Sequence, residues 1–214
     1  MTGGEGTGDQ RRELKAVALT LAARGWHVFP LRPGTIEPAV RNWAARATTN
    51  AWRIVRCWDS GPFNVGIAPC ASGLLVLDLV PAGPQEVPPA PYRLPGVVDG
   101  ADVLAVLLDE QRARMPVETY SVRGPGARWQ YYFTRPPATC PPAAPSPLAW
   151  HVEVRCTGSY VPAAGSRTPE GVYTVVHDAV PVEAPAWLTG EPTSAFAAGG
   201  SGPKGLDSLQ CDVV

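Results

Sequence analysis

The sequence predicts an α+β fold, with helices flanking a mixed, mostly antiparallel sheet. Three observations predict it. Residues 10–24 and 99–114 repeat apolar side chains at helical spacing. Most of the rest breaks into short apolar runs rich in Val, Ile, Tyr and Phe and bounded by turn residues, so helices mix with short strands. The 25 Pro and 22 Gly are far above the usual share, which makes the chain loop-rich.

The Gly-rich, polar stretch 1–9 reads as a disordered leader rather than a signal peptide. Leu14, Val17, Ala18, Leu21 and Ala22 form one helical face, with Asp9 available as a cap and Gly25 as the stop. A strand over 26–31 ends at a Pro33-Gly34 turn. Thr48-Thr49-Asn50 starts an amphipathic helix over 51–58. Strands follow at 64–68 and 74–80, expected to pair through an Ala71-Ser72-Gly73 turn. Residues 81–99 form a Pro-rich loop or insertion, and 99–114 a helix with Val103, Leu104, Leu107 and Leu108 on one face. Strands at 119–123 and 129–134 surround a Gly-Pro-Gly turn, and a second Pro-rich loop occupies 136–147. Strands at 150–155, 159–163 and 171–177 complete the set. The organisation is one domain over 10–190 and a flexible tail over 191–214, with no internal repeat.

Formal net charge is −1, so bulk electrostatics does not announce a nucleic-acid binder. The distribution is uneven: residues 11–56 hold nine Lys or Arg against Glu13 and Glu37, whereas 57–118 hold eight acids against three Arg. The basic stretch can meet phosphates or serve as a solvated, locally paired surface. Five scattered Cys without a C-x-x-C pair indicate neither a zinc site nor a disulfide framework. No apolar stretch approaches the ~20 residues of a membrane span, and the cytoplasm is the expected location.

Asp78 is the most informative residue. It follows Leu74-Leu75-Val76-Leu77, where an unpaired carboxylate is poorly solvated and needs a metal or a basic partner. Two-metal nucleotidyl transfer would want a second acid at position 80, because alternate strand residues share a face; position 80 is Val.

A series of fragments then falls in one recognisable order. These are Arg24-Gly25-Trp26-His27-Val28-Phe29-Pro30-Leu31, Ala47-Thr48-Thr49, Gly61-Pro62-Phe63-Asn64-Val65-Gly66-Ile67-Ala68 and Ser72-Gly73-Leu74-Leu75-Val76-Leu77-Asp78. Tyr132-Phe133, Gly158-Ser159-Tyr160-Val161 and Ala164-Gly165-Ser166 continue it. Over about residues 14–190 the chain resembles the bifunctional DNA primase/polymerase N-terminal (prim-pol) domain of the archaeo-eukaryotic primase superfamily.

The resemblance implies three site motifs. The first is a strand ending Asp-x-Asp that holds divalent metals; Asp78 matches the first acid and Val80 stands at the second. The second is a Ser-Gly-Gly-x-His phosphate turn; Gly126 falls at the Ser, Ala127 and Arg128 at the two Gly, and Gln130 at the His. The third is an acid followed two residues later by Arg, here Glu153 and Arg155. A Lys-x-Pro element near the N-terminus is replaced by Ile36-Glu37-Pro38. Asp78 and Glu153 are thus the remnant catalytic acids and metal ligands, and Gln130, Arg128, Gly126 and Arg155 the nucleotide-binding candidates.

With one carboxylate missing, two-metal catalysis is crippled, and Gln130 supplies no charge or titratable proton. Arg128 either compensates for the absent His or blocks the cleft. The expectation is a prim-pol-like domain with a degenerate site, leaning inactive and acting through nucleotide or nucleic-acid binding. One alternative is an active primase/polymerase using Mg²⁺ or Mn²⁺ at Asp78 and Glu153. Another is a regulatory or structural interaction domain with no ligand. Implied partners are a nucleotide, single-stranded DNA or a replication protein, and no membrane. Competing structural roles stand beside these: Asp78 satisfied by backbone or Arg, and Glu153–Arg155 as a same-face strand pair. Trp129, Trp150 and Tyr160 read as core or rim aromatics, and His27, His151 and His177 as buried or surface residues without a site role.

Overall fold

The structure, a computed structural model, describes residues 3–135 and 146–189. Helix α1 (Gly3–Ala23) begins ahead of the Asp9 start anticipated from sequence, inside the stretch read as a leader. Asp9 lies within the helix and pairs with Arg12 one turn on, so it does not cap. The helix ends where Gly25 allows it: Gly25 takes φ +83°, its N–H donates to Ala22 O (3.0 Å), and Trp26 N–H donates to Leu21 O (3.1 Å). That pair of hydrogen bonds is the Schellman closure. Strand β1 (Val28–Leu31) follows, then a short helix α2 (Trp43–Arg46) absent from the sequence-based expectation. Helix α3 (Ala51–Trp58) starts as expected, with Asn50 Oδ1 accepting from Arg53 N–H at 3.0 Å.

Strand β2 (Asn64–Ile67) does not pair with β3 (Leu74–Leu79), contrary to the hairpin expected between them. β2 sits between β1 and β8 (Val161–Pro162) in a three-stranded antiparallel sheet. Cys70–Ser72 is a 3₁₀ turn closed by Gly73 at φ +67°, and it carries the chain out of that sheet into a second one. Both edges of β2 are already paired there, which leaves no edge for β3.

Helix α4 (Gly100–Glu110) carries a capping box, Asp99 accepting from Ala101 and Asp102 N–H while Asp102 reaches back. It ends before the 114 expected from its spacing. The remaining strands are β4 (Ser121–Arg123), β5 (Trp129–Thr134), β6 (Ser146–Ala149), β7 (Val152–Arg155), the hairpin β9 (Arg167–Thr168) with β10 (Gly171–Val172), β11 (Thr174–His177) and β12 (Val182–Glu183). A four-residue helix α5 (Ala186–Thr189) follows.

The larger sheet has seven strands, ordered β11-β4-β5-β3-β7-β6, and β12 joins β5 in parallel. It is therefore mixed and mostly antiparallel, as the sequence predicts. β6, β9 and β12 were not anticipated. β6 falls partly in the Pro-rich stretch 136–147, and an end strand is where a strand proline is tolerated. The rest of that stretch, 136–145, and the expected tail 191–214 lie outside the described residues.

Strand β3 is buried on both faces. Leu74 and Val76 face a core shared with α1, α3 and the small sheet, built on Leu14, Leu21, Trp26, Ile54, Trp58 and Tyr132. Leu75, Leu77 and Leu79 face a second core with Val103 and Leu104 of α4 and Leu188 of α5. Among the described residues, no helix is long and apolar enough to cross a membrane.

Candidate functional site

The alternation of β3 decides where Asp78 goes. Leu74 and Val76 precede it on one face, so Asp78 is the third residue of a row whose first two pack into the first core. Its neighbours are set by register: Gln130 of β5 is directly opposite on one side and Glu153 of β7 on the other. Arg155 pairs with Val76, one row along on the same face. The strand pairing thus gathers Asp78, Gln130, Glu153 and Arg155, four of the residues singled out in the sequence.

Arg128 arrives from the turn before β5. Pro125–Arg128 form a tight turn of the type I′ kind, in which Gly126 (φ +64°) and Ala127 (φ +67°) are both left-handed. Ala127 therefore keeps a conformation suited to the glycine of the phosphate-turn pattern. Arg128 is different: φ −61° and ψ 139° are ordinary extended values, which any side chain accepts. Its N–H donates to Pro125 O (3.2 Å) and its carbonyl accepts from Gly124 N–H (2.8 Å), which aims the side chain back over β3.

Asp78 is completely buried, and guanidinium groups occupy both of its oxygens. Arg128 Nε donates to Oδ1 (2.7 Å) and its Nη2 to Oδ2, a bidentate fork. Arg155 Nε donates to the same Oδ2 at 3.2 Å and pairs through Nη2 with Glu153. Two carboxylates and two guanidiniums form one cluster of zero formal charge. Burial pulls the Arg128 pKa down, but its hydrogen bonds and charge contact with Asp78 outweigh that and the net shift is upward. Burial, then the charges of Tyr120 and Asp78, hold the fully buried Tyr132 phenol well above its usual range. That phenol donates to Gln130 Oε1 (3.0 Å), whereas buried Gln130 Nε2 has no hydrogen-bond partner among the described residues.

Two cavities flank Arg128. One, about 580 Å³, is lined by Val80, Gly126, Arg128, Glu37, Glu170 and Tyr173 among others. The second, about 190 Å³, is lined by Trp43, Arg128, Arg155, Ser159 and Tyr160. Ile36 borders both, so the turn after β1 divides the cleft. Tyr160 OH pins it by donating to Ile36 O (3.0 Å), and Asn64 Nδ2 by donating to Thr35 O (2.9 Å). Asn64 and Tyr173 were not singled out from sequence. Asn64 also bonds the Arg167 backbone in both directions, and Tyr173 lines the larger cavity beside Arg128. Their only sequence signal was a polar residue opening an apolar strand and an aromatic one within another. Among the described residues, no three His, Cys, Asp or Glu come together as a metal-holding group.

A two-sheet α+β fold with a mostly antiparallel main sheet fits a primase/polymerase-like class. The family description for bifunctional DNA primase/polymerase, N-terminal, matches residues 18–187. The chain belongs to that family. No curated protein matches it.

Proposed function

We propose that this member of the prim-pol family has a nucleotidyl-transfer site closed by its own arginine, and that it works as a nucleotide- or nucleic-acid-binding module rather than as a polymerase. One observation carries the reading: Arg128 forks onto Asp78 where a metal-bound carboxylate would be wanted. Mg²⁺ takes hard oxygen ligands at about 2.1 Å in near-octahedral geometry and gives up water reluctantly. Here both Asp78 oxygens already accept from guanidinium, Val80 offers hydrocarbon, and Glu153 is paired with Arg155. This donor set does not fit two divalent cations. Arg128 and Arg155 neutralise the acids in their place.

Primer extension with Mg²⁺ and with Mn²⁺, together with calorimetric titration of Mn²⁺, tests the proposal. The natural chain is expected to extend no primer and to bind Mn²⁺ weakly. The combined variant Val80→Asp, Gln130→His, Arg128→Gly should gain Mn²⁺ binding. Extension by the natural chain that Asp78→Asn abolishes would establish the active alternative instead. Tryptophan fluorescence unmoved by nucleotides and by single-stranded DNA would leave the ligand-free interaction domain.

A further inference from the structure

Residues 38–58 contain four Arg and three Trp but no Asp or Glu. The fold gives this run an exposed surface. On α3, Ile54 and Trp58 are buried against the first core, while Trp52, Arg53 and Arg56 face solvent. Trp52 is 67 % exposed, and the Arg56 guanidinium carbon lies 5.4 Å from its ring centroid. Arg53 Nη2 donates to the Arg46 carbonyl at 3.5 Å, and both side chains line a notch of about 170 Å³.

Arg12, Arg24, Arg32, Arg128, Arg155 and Arg167 each face a carboxylate. Among the described residues, no carboxylate pairs with Arg46, Arg53 or Arg56. The acid that follows α3, Asp59, is taken by Lys15 (2.6 Å), and its carbonyl accepts from Arg11 (3.3 Å). The patch is therefore a group of cations without carboxylate partners around a largely exposed indole that Arg56 already stacks upon.

We infer that the Trp52–Arg53–Arg56 face of α3, with Arg46 beside it, is a binding surface for single-stranded nucleic acid. Charge complementarity selects a polyanion. The indole narrows the choice: an unstacked base presents a planar face to Trp52 while its phosphates meet the guanidiniums, and a paired duplex keeps its base faces covered. The electrically neutral Arg128 cluster, with Glu37 and Glu170 at its cavity, supplies no comparable field. The inference rests on the binding half of the proposed function and moves the contact from the cleft to α3.

Fluorescence anisotropy of labelled oligo-dT with the full chain, at low and moderate salt, tests it. Trp52→Ala should weaken binding about tenfold, and Trp52→Phe should restore most of it because stacking needs only a π face. Arg53→Gln with Arg56→Gln should weaken binding by at least about tenfold and lower the salt slope by about 1.4, two phosphate contacts at ~0.7 each for a single strand. Arg24→Gln, at an arginine already paired with Asp178, should leave the affinity unchanged. No binding at low salt, binding indifferent to both α3 variants, or equal competition by a poly-glutamate peptide would overturn the inference. Mn²⁺ titration involves no nucleic acid and reads the cleft alone, so failure there is distinguishable from failure here.

Discussion

Asp78 and Glu153 stand directly opposite each other across β3 and β7, and Arg155 bonds to both. Two acids side by side on one face repel unless a cation lies between them. In this chain that cation is a side chain, and Arg128 adds a second on the far side of Asp78. The cluster is fixed by two strands and one turn, so its members should respond to mutation together.

A double-mutant cycle reads that coupling. Arg128→Met should cost about 3 kcal/mol, because it leaves a buried carboxylate short of a partner. Asp78→Asn should cost a similar amount by stranding a guanidinium. The double variant should cost clearly less than the sum, by about 1.5 kcal/mol or more. Urea unfolding midpoints at constant m measure all three. Additive losses would show that the two side chains act independently.

Ala127 gives a prediction of the opposite sign. Its φ of +67° is one that a Cβ disfavours by roughly 1–2 kcal/mol, against which Gly loses more chain entropy on folding. Ala127→Gly should therefore stabilise the protein by about 0.5–1 kcal/mol, visible as a higher thermal midpoint. A lower midpoint would mean that the Ala127 methyl packs usefully despite its backbone.

The tyrosines predict alkaline sensitivity. Burial raises the Tyr120 phenol to about 12, with the Arg24 charge opposing that shift. The folded state thus keeps a proton that the unfolded chain releases near pH 10. The associated stability is complete below about pH 10 and is lost as pH rises through about 12, roughly 2–3 kcal/mol for two pKa units. Denaturation midpoints between pH 9 and 12 should fall, and Tyr120→Phe should flatten that slope. An unchanged slope would place the sensitivity on Tyr132 or Tyr173, whose phenols burial also raises.

Local signals made the helices legible in the sequence. Asn50 caps where it was expected to, because a cap depends on a few adjacent atoms, whereas Asp9, the other expected cap, lies inside α1. Asp78, Gln130, Glu153 and Arg155 were legible through their spacing against the prim-pol motifs, and strand register brings them together. The pairing of β2 was not legible. A short turn after an apolar strand reads as a hairpin, whereas here the partners of β2 are β1 and β8, the latter far along the chain. Nor could the sequence choose between compensation and blockage by Arg128. That depended on the extended φ and ψ of one residue, which point its guanidinium at Asp78. β12 was hidden because its pairing with β5 is two residues long and relies on Thr119 Oγ1 accepting from Val182 N–H at 3.1 Å.

Gly66 ties the small sheet to the cleft, and its replacement should be felt at both. A Cβ there would lie 2.6 Å from Phe29 Cζ. The Phe29 ring has nowhere to retreat, being 1 % exposed, stacked on Trp43 at 4.9 Å and edge-on to Tyr160 at 5.5 Å. Tyr160 in turn holds the Ile36 carbonyl over the Arg128 cleft. Gly66→Ala should therefore cost about 1–3 kcal/mol through overpacking and loosen the turn at Ile36. Faster hydrogen exchange is then expected across residues 34–37. Phe29→Leu in the same background removes the clashing ring edge and should recover at least half of the lost stability. If Gly66→Ala is neutral and exchange at that turn is unchanged, the aromatic trio does not couple the small sheet to the cleft.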